Sequence, residues 1–92
     1  MLKTRFSSKI QRDVKLLEKR GYDMRKFTET VKLLACGRGL PDSYKDHPLK
    51  GNLAGLRECH IAPDWLLIYR IDHDELILIL TRTGTHADLF KK

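Results

Sequence analysis

Apolar residues in the first third of the chain recur at helical intervals. Phe6, Ile10, Val14 and Leu17 are four, four and three residues apart, with Lys, Arg, Gln and Asp between them, which predicts an amphipathic helix. Ser7 or Ser8 stands where a helix N-cap belongs, and Met1 to Phe6 reads as a short strand or an extended lead-in. Gly21 follows the basic pair Lys19 and Arg20 and predicts the helix end, because glycine accepts the left-handed cap and cations suit a helix C-terminus. Met24, Phe27, Val31 and Leu34 repeat the stripe, and Gly37 stops it. The two stripes predict a helical hairpin that needs a shared surface to cover.

The period then changes. After a loop punctuated by Gly and Pro from Gly37 to Gly51, three strand-like runs follow: Leu53 to Ala62, Trp65 to Ile71 and Glu75 to Arg82. Pro63 and Asp64 separate the first two, and Asp72, His73 and Asp74 mark the next turn. Connections this short predict antiparallel neighbours, and Leu76 to Leu80, apolar on both faces, predicts a central strand. The fold class is therefore α+β, a helical hairpin packed on one face of a small antiparallel β-sheet, in a single domain spanning 1–92. The second face is left for a site. By the period of two, Leu76, Leu78, Leu80 and Arg82 share one side, so Arg82 is where that apolar row turns cationic, just before Gly84.

Charge narrows the partners only a little. Lys and Arg number 18 against 12 Asp and Glu, a net +6, which favours a nucleic acid or an acidic protein. The basic residues Lys9, Arg12, Lys15, Lys19 and Arg20 of the first helix read as a solvated face. Cys36 and Cys59 lie far apart and form no C-x-x-C pair, which speaks against a disulfide framework or structural zinc and for a reducing compartment. The N-terminal segment is not that of a secretory signal, and the longest apolar runs are strand length, so a cytoplasmic protein without a membrane anchor is expected.

The polar residues at the strand edges carry the chemistry. His47, His60, Asp64, Arg82 and His86 supply proton donors and acceptors that titrate near neutrality, plus a fixed positive charge, which is what RNA cleavage without a metal requires. Singly, each has an ordinary explanation. His47 lies in a loop ahead of Pro48, His60 shares a strand face with Glu58, Asp64 is a common turn residue after Pro63, and Trp65 suits a core. Phe90, near the C-terminus, is either a docked plug or a ring on which a base stacks. His73, in a polar turn, is assigned no role. Helical H-E-x-x-H spacing, G-x-x-x-x-G-K-[ST], G-x-G-x-x-G and G-x-S-x-G are all missing, so no metal site or cofactor is predicted.

Four runs in order, Tyr44-Lys45-Asp46-His47-Pro48-Leu49, Gly51-Asn52 to Arg57, His60 to Asp64-Trp65-Leu66-Leu67-Ile68-Tyr69, and Arg82-Thr83-Gly84-Thr85-His86 to Leu89-Phe90, resemble the YafQ branch of the RelE/ParE toxin superfamily. The resemblance covers nearly the whole chain. It implies the toxin of a type II toxin-antitoxin module, a ribosome-dependent, metal-independent endoribonuclease that cuts mRNA during translation, leaving a cyclic phosphate or 3′-phosphate and a 5′-hydroxyl. It implies catalytic roles for His86, His60, Asp64, Arg82 and His47 and RNA contacts for Phe90 and Lys45. The implied partners are a cognate antitoxin, in a heterotetramer, and the ribosome with its A-site mRNA. Two other readings share parts of the pattern, a ParE-like toxin that inhibits DNA gyrase by contact and a non-catalytic RNA-binding module.

Overall fold

The computed structural model describes residues 1–90. Strand β1 (Lys3–Phe6) leads into helix α1 (Ser8–Lys19), helix α2 (Met24–Ala35), strands β2 (His47–Pro48), β3 (Arg57–Ala62), β4 (Trp65–Asp72) and β5 (Ile77–Gly84), and a terminal turn of helix α3 (His86–Phe90). The sheet order is β1-β5-β4-β3-β2. The predicted meander is its centre, with β3, β4 and β5 antiparallel. Two edge strands extend it: β1 lies parallel to β5, and the two residues of β2 pair with Arg57 and Glu58. β1 and β5 can be parallel because the helical hairpin, with the strands that follow it, supplies the long return path that such a pair needs.

Both helices begin and end as their sequences dictate. Ser7 is the α1 cap, its hydroxyl accepting from the Ile10 N–H at 3.0 Å, and Asp23 caps α2 by accepting from Arg25 N–H at 3.1 Å. Gly21 follows α1 with φ of +82°, a conformation that costs any residue with a Cβ about 1 kcal/mol or more. Ile10 and Leu17 from α1 and Phe27, Leu34 and Ala35 from α2 are buried against Cys59, Trp65, Leu67, Tyr69, Leu78 and Leu80 of the sheet. Burial raises the Cys59 thiol to about 12, so it behaves as a small apolar core residue.

Two strand starts differ from the sequence reading, each for a local reason. Residues Gly51–Leu53 form a 3₁₀ turn, so β3 starts at Arg57 rather than Leu53. Asp72 folds back on the next turn, its carboxylate accepting from the N–H groups of Asp74 and Glu75, and Leu76 is left outside the strand at φ +57° and 59% exposed. Leu76 therefore does not belong to the apolar row of β5.

Arg82 does not share that row's face either. Tyr69 is paired with Leu80 but Ile68 with Arg82, so Thr81 is an extra residue on β5, a β-bulge. Partners across an antiparallel pair project to the same side, so Leu80 joins Tyr69 in the core while Arg82 joins Ile68 on the opposite face. Register carries the same face outward: Leu66 is opposite His60, Ile68 is opposite Glu58, and Glu58 is opposite His47. The bulge thus delivers Arg82 to the face that bears two of the histidines.

Beyond Leu80 the outer edge of β5 has no β1 partner, and α1 takes its place. The Ser7 N–H donates to Leu80 O at 3.1 Å and the Ser7 hydroxyl to Thr81 O at 2.7 Å. The Thr83 N–H then donates to the Asp13 carboxylate at 3.1 Å. Backbone groups on a sheet edge must find such partners or water.

Candidate active site

The site is assembled from the loop ends and from the sheet face that the helices leave open. His86 opens α3, and its Nδ1 lies 2.6 Å from Asp64 Oδ1 while its own N–H donates to the same oxygen at 3.1 Å. These two hydrogen bonds from His86 hold the Asp64 carboxyl below the usual carboxylate range, so it is ionised at neutral pH. An ionised carboxylate only accepts, so the proton of this short contact is on Nδ1 of His86, and Nε2 is turned outward. The centre of the His60 ring lies 6.0 Å from that of His86, and the Phe90 ring centre lies 6.5 Å from that of His86. His60, Asp64, His86 and Phe90, four of the residues singled out in the sequence, are thus neighbours.

What fixes Asp64 and His86 relative to each other lies beneath them. Trp65 is 3% exposed, its Nε1–H donates to the Thr83 hydroxyl at 2.9 Å, and that hydroxyl donates to Leu66 O at 2.7 Å. The Trp65 ring meets Tyr22 edge-on at 5.0 Å. Trp65 is therefore core, and it locks the residue after Asp64 to the strand that runs into His86. Gly84 completes the corner: a Cβ there would stand 3.0 Å from Asp88 Oδ2. Asp88 accepts from the Arg20 guanidinium at 2.7 and 3.1 Å and from Thr85 N–H at 3.0 Å, contacts that pull its carboxyl far below the ordinary range and tie α3 to the end of α1.

Arg82, expected as a fixed positive charge, is held by a carboxylate partner from α1. Its Nε and Nη2 donate to the two oxygens of Asp13 at 2.7 and 3.1 Å, and this pairing raises the guanidinium above its ordinary value. Among the described residues its Nη1 donates to no protein acceptor. Arg82 also lines a cleft of about 450 Å³ with Lys9, Asn52, Leu53, Leu56, Ile68, Thr81, Leu89 and Phe90. Lys9, placed by sequence on a solvated helix face, thus stands beside Arg82 and Phe90.

The third group gathers around Glu58, which is 6% exposed. His47 Nε2 is 3.4 Å and His60 Nε2 3.6 Å from the same Glu58 oxygen. Nδ1 of His47 faces the Pro48 carbonyl at 3.2 Å while Nε2 points toward the carboxylate, so both ring nitrogens meet oxygen acceptors. Donor atoms of His47, Glu58 and His60 all lie within 4.8 Å of one another, a set able to hold a divalent transition-metal ion. No ligand spacing announced this in the sequence, because His47 and Glu58 reach each other across a strand pair.

Lys45, the other residue expected to meet RNA, follows a 3₁₀ turn (Asp42–Tyr44) and takes a left-handed backbone at φ +52°. It lines a cleft of about 430 Å³ with Ser43, Tyr44, His60, Ile61, Ala62 and Pro63. That loop is pinned from below, since Asp46 accepts from the Tyr69 hydroxyl at 2.7 Å and from Arg57 Nε at 3.2 Å. His73 sits in its turn, away from all of these contacts.

Residues 2–91 match the sequence profile of a family described as the bacterial toxin of type II toxin-antitoxin system, YafQ. The chain is 45% identical over 86 residues to the mRNA interferase toxin YafQ of Escherichia coli strain K12, covering 92% of this chain and 91% of that one. In solved structures it superposes on a chain of the E. coli DinJ-YafQ toxin-antitoxin complex with a TM-score of 0.87 at 42% identity, covering 98% and 99% of the two chains. A metal-bound toxin from Helicobacter pylori superposes with a TM-score of 0.92 at 46% identity, covering 98% and 100%.

Proposed function

The chain belongs to the YafQ family of bacterial type II toxin-antitoxin toxins, and we propose that it is an mRNA interferase that cuts A-site mRNA on the ribosome without a metal cofactor. The observation that carries the reading is the Asp64–His86 pair with His60 beside it, two imidazoles on one open surface with one of them fixed by a carboxylate at 2.6 Å. A toxin that acts only by contact has no use for such a pair.

In the proposed reaction the 2′-hydroxyl of the mRNA attacks the adjacent phosphorus. The 5′-oxygen of the next nucleotide leaves with a proton, giving a 2′,3′-cyclic phosphate or its 3′-phosphate hydrolysis product and a 5′-hydroxyl. His86 is the general acid: Asp64 stabilises its imidazolium through Nδ1 and leaves Nε2–H to protonate the leaving oxygen. Asp64 is committed to orienting His86, so the base is His60, whose ring is close enough for one ribose-phosphate unit to touch both. Arg82 meets the charge that builds on the phosphorane, a contact whose loss typically costs about 10²- to 10³-fold in rate. His47 orients, Phe90 stacks on a base, and Lys45 meets a phosphate. The toxin's partner is a cognate antitoxin, as DinJ is the partner of YafQ in the E. coli complex.

Primer extension on translating mRNA, with and without EDTA, tests the reading. Cuts that need the ribosome and survive EDTA support it. Cutting of naked RNA only when divalent metal is added sinks it.

A further inference from the structure

Arg82 reaches the open face with two of its three nitrogens already occupied. Asp13, from the middle of α1, takes Nε at 2.7 Å and Nη2 at 3.1 Å, the parallel fork that fixes a guanidinium plane, and the same carboxylate accepts the Thr83 N–H at 3.1 Å. The carboxylate is largely shielded, with 13% of its side chain exposed, against 31% for Arg82. An ion pair built only for stability gains little from joining the middle of a helix to the position after a β-bulge, where the strand twists most. The arrangement makes sense if the direction of the guanidinium matters. Asp13 anchors to the backbone of the very next residue, so the guanidinium plane is referenced to the strand that also carries Gly84 and His86 into place.

Resting on the cleavage reading above, we propose that Asp13 is a positioning residue of the reaction, holding Arg82 with Nη1 turned toward the scissile phosphate. Nothing in its sequence context marks it, since it lies among Arg12, Lys15 and Gln11 on what reads as a solvated helix face. Asp13 touches no substrate. It limits the orientations that Arg82 samples and partly neutralises it between turnovers, so that the phosphorane meets a cation whose direction is set in advance.

The isosteric Asp13→Asn variant separates this role from a purely structural one. An Asn carbonyl still accepts from Thr83 N–H, while its NH₂ opposes the second guanidinium donor. In single-turnover cleavage of ribosome-bound mRNA, D13N is expected to lower the limiting rate by about 10- to 100-fold, the range for a misplaced catalytic group. The toxin concentration at half-maximal rate should stay within about threefold. In an Arg82→Ala background the same substitution should add nothing, because its effect passes through Arg82. A full additional loss in that background overturns the proposal, as does a D13N rate equal to wild type. Nitrogen NMR of Arg82 gives a readout independent of cleavage: Nε–H exchange should be slow in wild type and faster by an order of magnitude or more in D13N. Unchanged exchange refutes Asp13 as the clamp, whereas a wild-type protein that cuts no mRNA refutes the functional reading itself.

Discussion

Replacing Thr83 by Val removes one oxygen and keeps the shape of the side chain, which makes it a sharp test of how the site is anchored. Thr83 is 1% exposed, and its hydroxyl accepts from Trp65 Nε1–H at 2.9 Å and donates to Leu66 O at 2.7 Å. In T83V the indole N–H stays buried without an acceptor, a loss of about 1–3 kcal/mol. The Leu66 carbonyl has a second lone pair for the sheet, so its loss is smaller, and the added methyl returns up to about 0.8 kcal/mol of apolar burial. The net expectation is a destabilisation of about 2 kcal/mol. For a domain of this size that corresponds to a melting temperature lower by roughly 8–16 °C. Urea titration followed by Trp65 fluorescence measures the difference, with an unchanged m-value showing that the folded and unfolded ensembles are otherwise the same. A midpoint shift worth less than about 0.5 kcal/mol would refute the reasoning and mean that the indole finds another acceptor.

His86→Ala should reduce cleavage by about 10²- to 10⁴-fold, the usual worth of a general acid. Because His86 is what holds the Asp64 carboxyl low, the Asp64 titration followed by carboxyl NMR should move up to the ordinary carboxylate range in the same variant; a midpoint that stays put would break the assigned contact. Zinc or copper added at micromolar concentration is expected to enter the His47, Glu58 and His60 donor set and slow cleavage by withdrawing His60, with EDTA restoring it. His47→Ala should weaken that inhibition, and equal metal sensitivity in the variant would rule the site out. Asp88→Asn should loosen α3, read as faster exchange of the Leu89 amide that donates to Thr85 O. The Asp88 pKa is depressed in the fold, so its stabilisation is fully present above the unfolded carboxyl value of about 4 and is lost as pH falls further. Wild type should therefore weaken in that acid window, and D88N should show a flatter profile there.

The helices were legible because their signals are local. Ser7, Gly21 and the steps from Ile10 to Leu17 need nothing beyond the chain's own neighbours to be read. The meander was legible for the same reason, from Pro63-Asp64 and the Asp72 to Asp74 turn. β1 was only half legible: four exposed residues carry no alternation of burial, and its parallel pairing with β5 depends on a partner more than seventy residues away. Thr81 shows the other limit. A β-bulge leaves no mark in a run such as Leu-Ile-Leu-Thr-Arg-Thr, so counting by two assigned Arg82 to the wrong face. Asp13 escaped notice, and Glu58 was read only as a neighbour of His60, because each is ordinary until its distant partner arrives, Arg82 from another element and His47 from the adjoining strand.

The same bulge explains why so small a sheet can carry both a core and a site. Without Thr81, strict alternation would send Leu78, Leu80 and Arg82 to one side, and burying Arg82 under the helices would cost several kcal/mol for an uncompensated charge. With it, Leu80 ends the core row and Thr83 resumes it one residue later than alternation allows, there to hold Trp65. Arg82 falls between them on the open face. The strand edge disturbed by the bulge still has to be satisfied, and Ser7 and Asp13 of α1 do so. The Asp13 oxygen that takes the Thr83 N–H also takes the guanidinium Nε, and its other oxygen takes Nη2. On this reasoning the contact between α1 and β5 is at once a packing interface, a repair of the strand edge and the mount for the cation, which is why its residues look like surface when read one at a time.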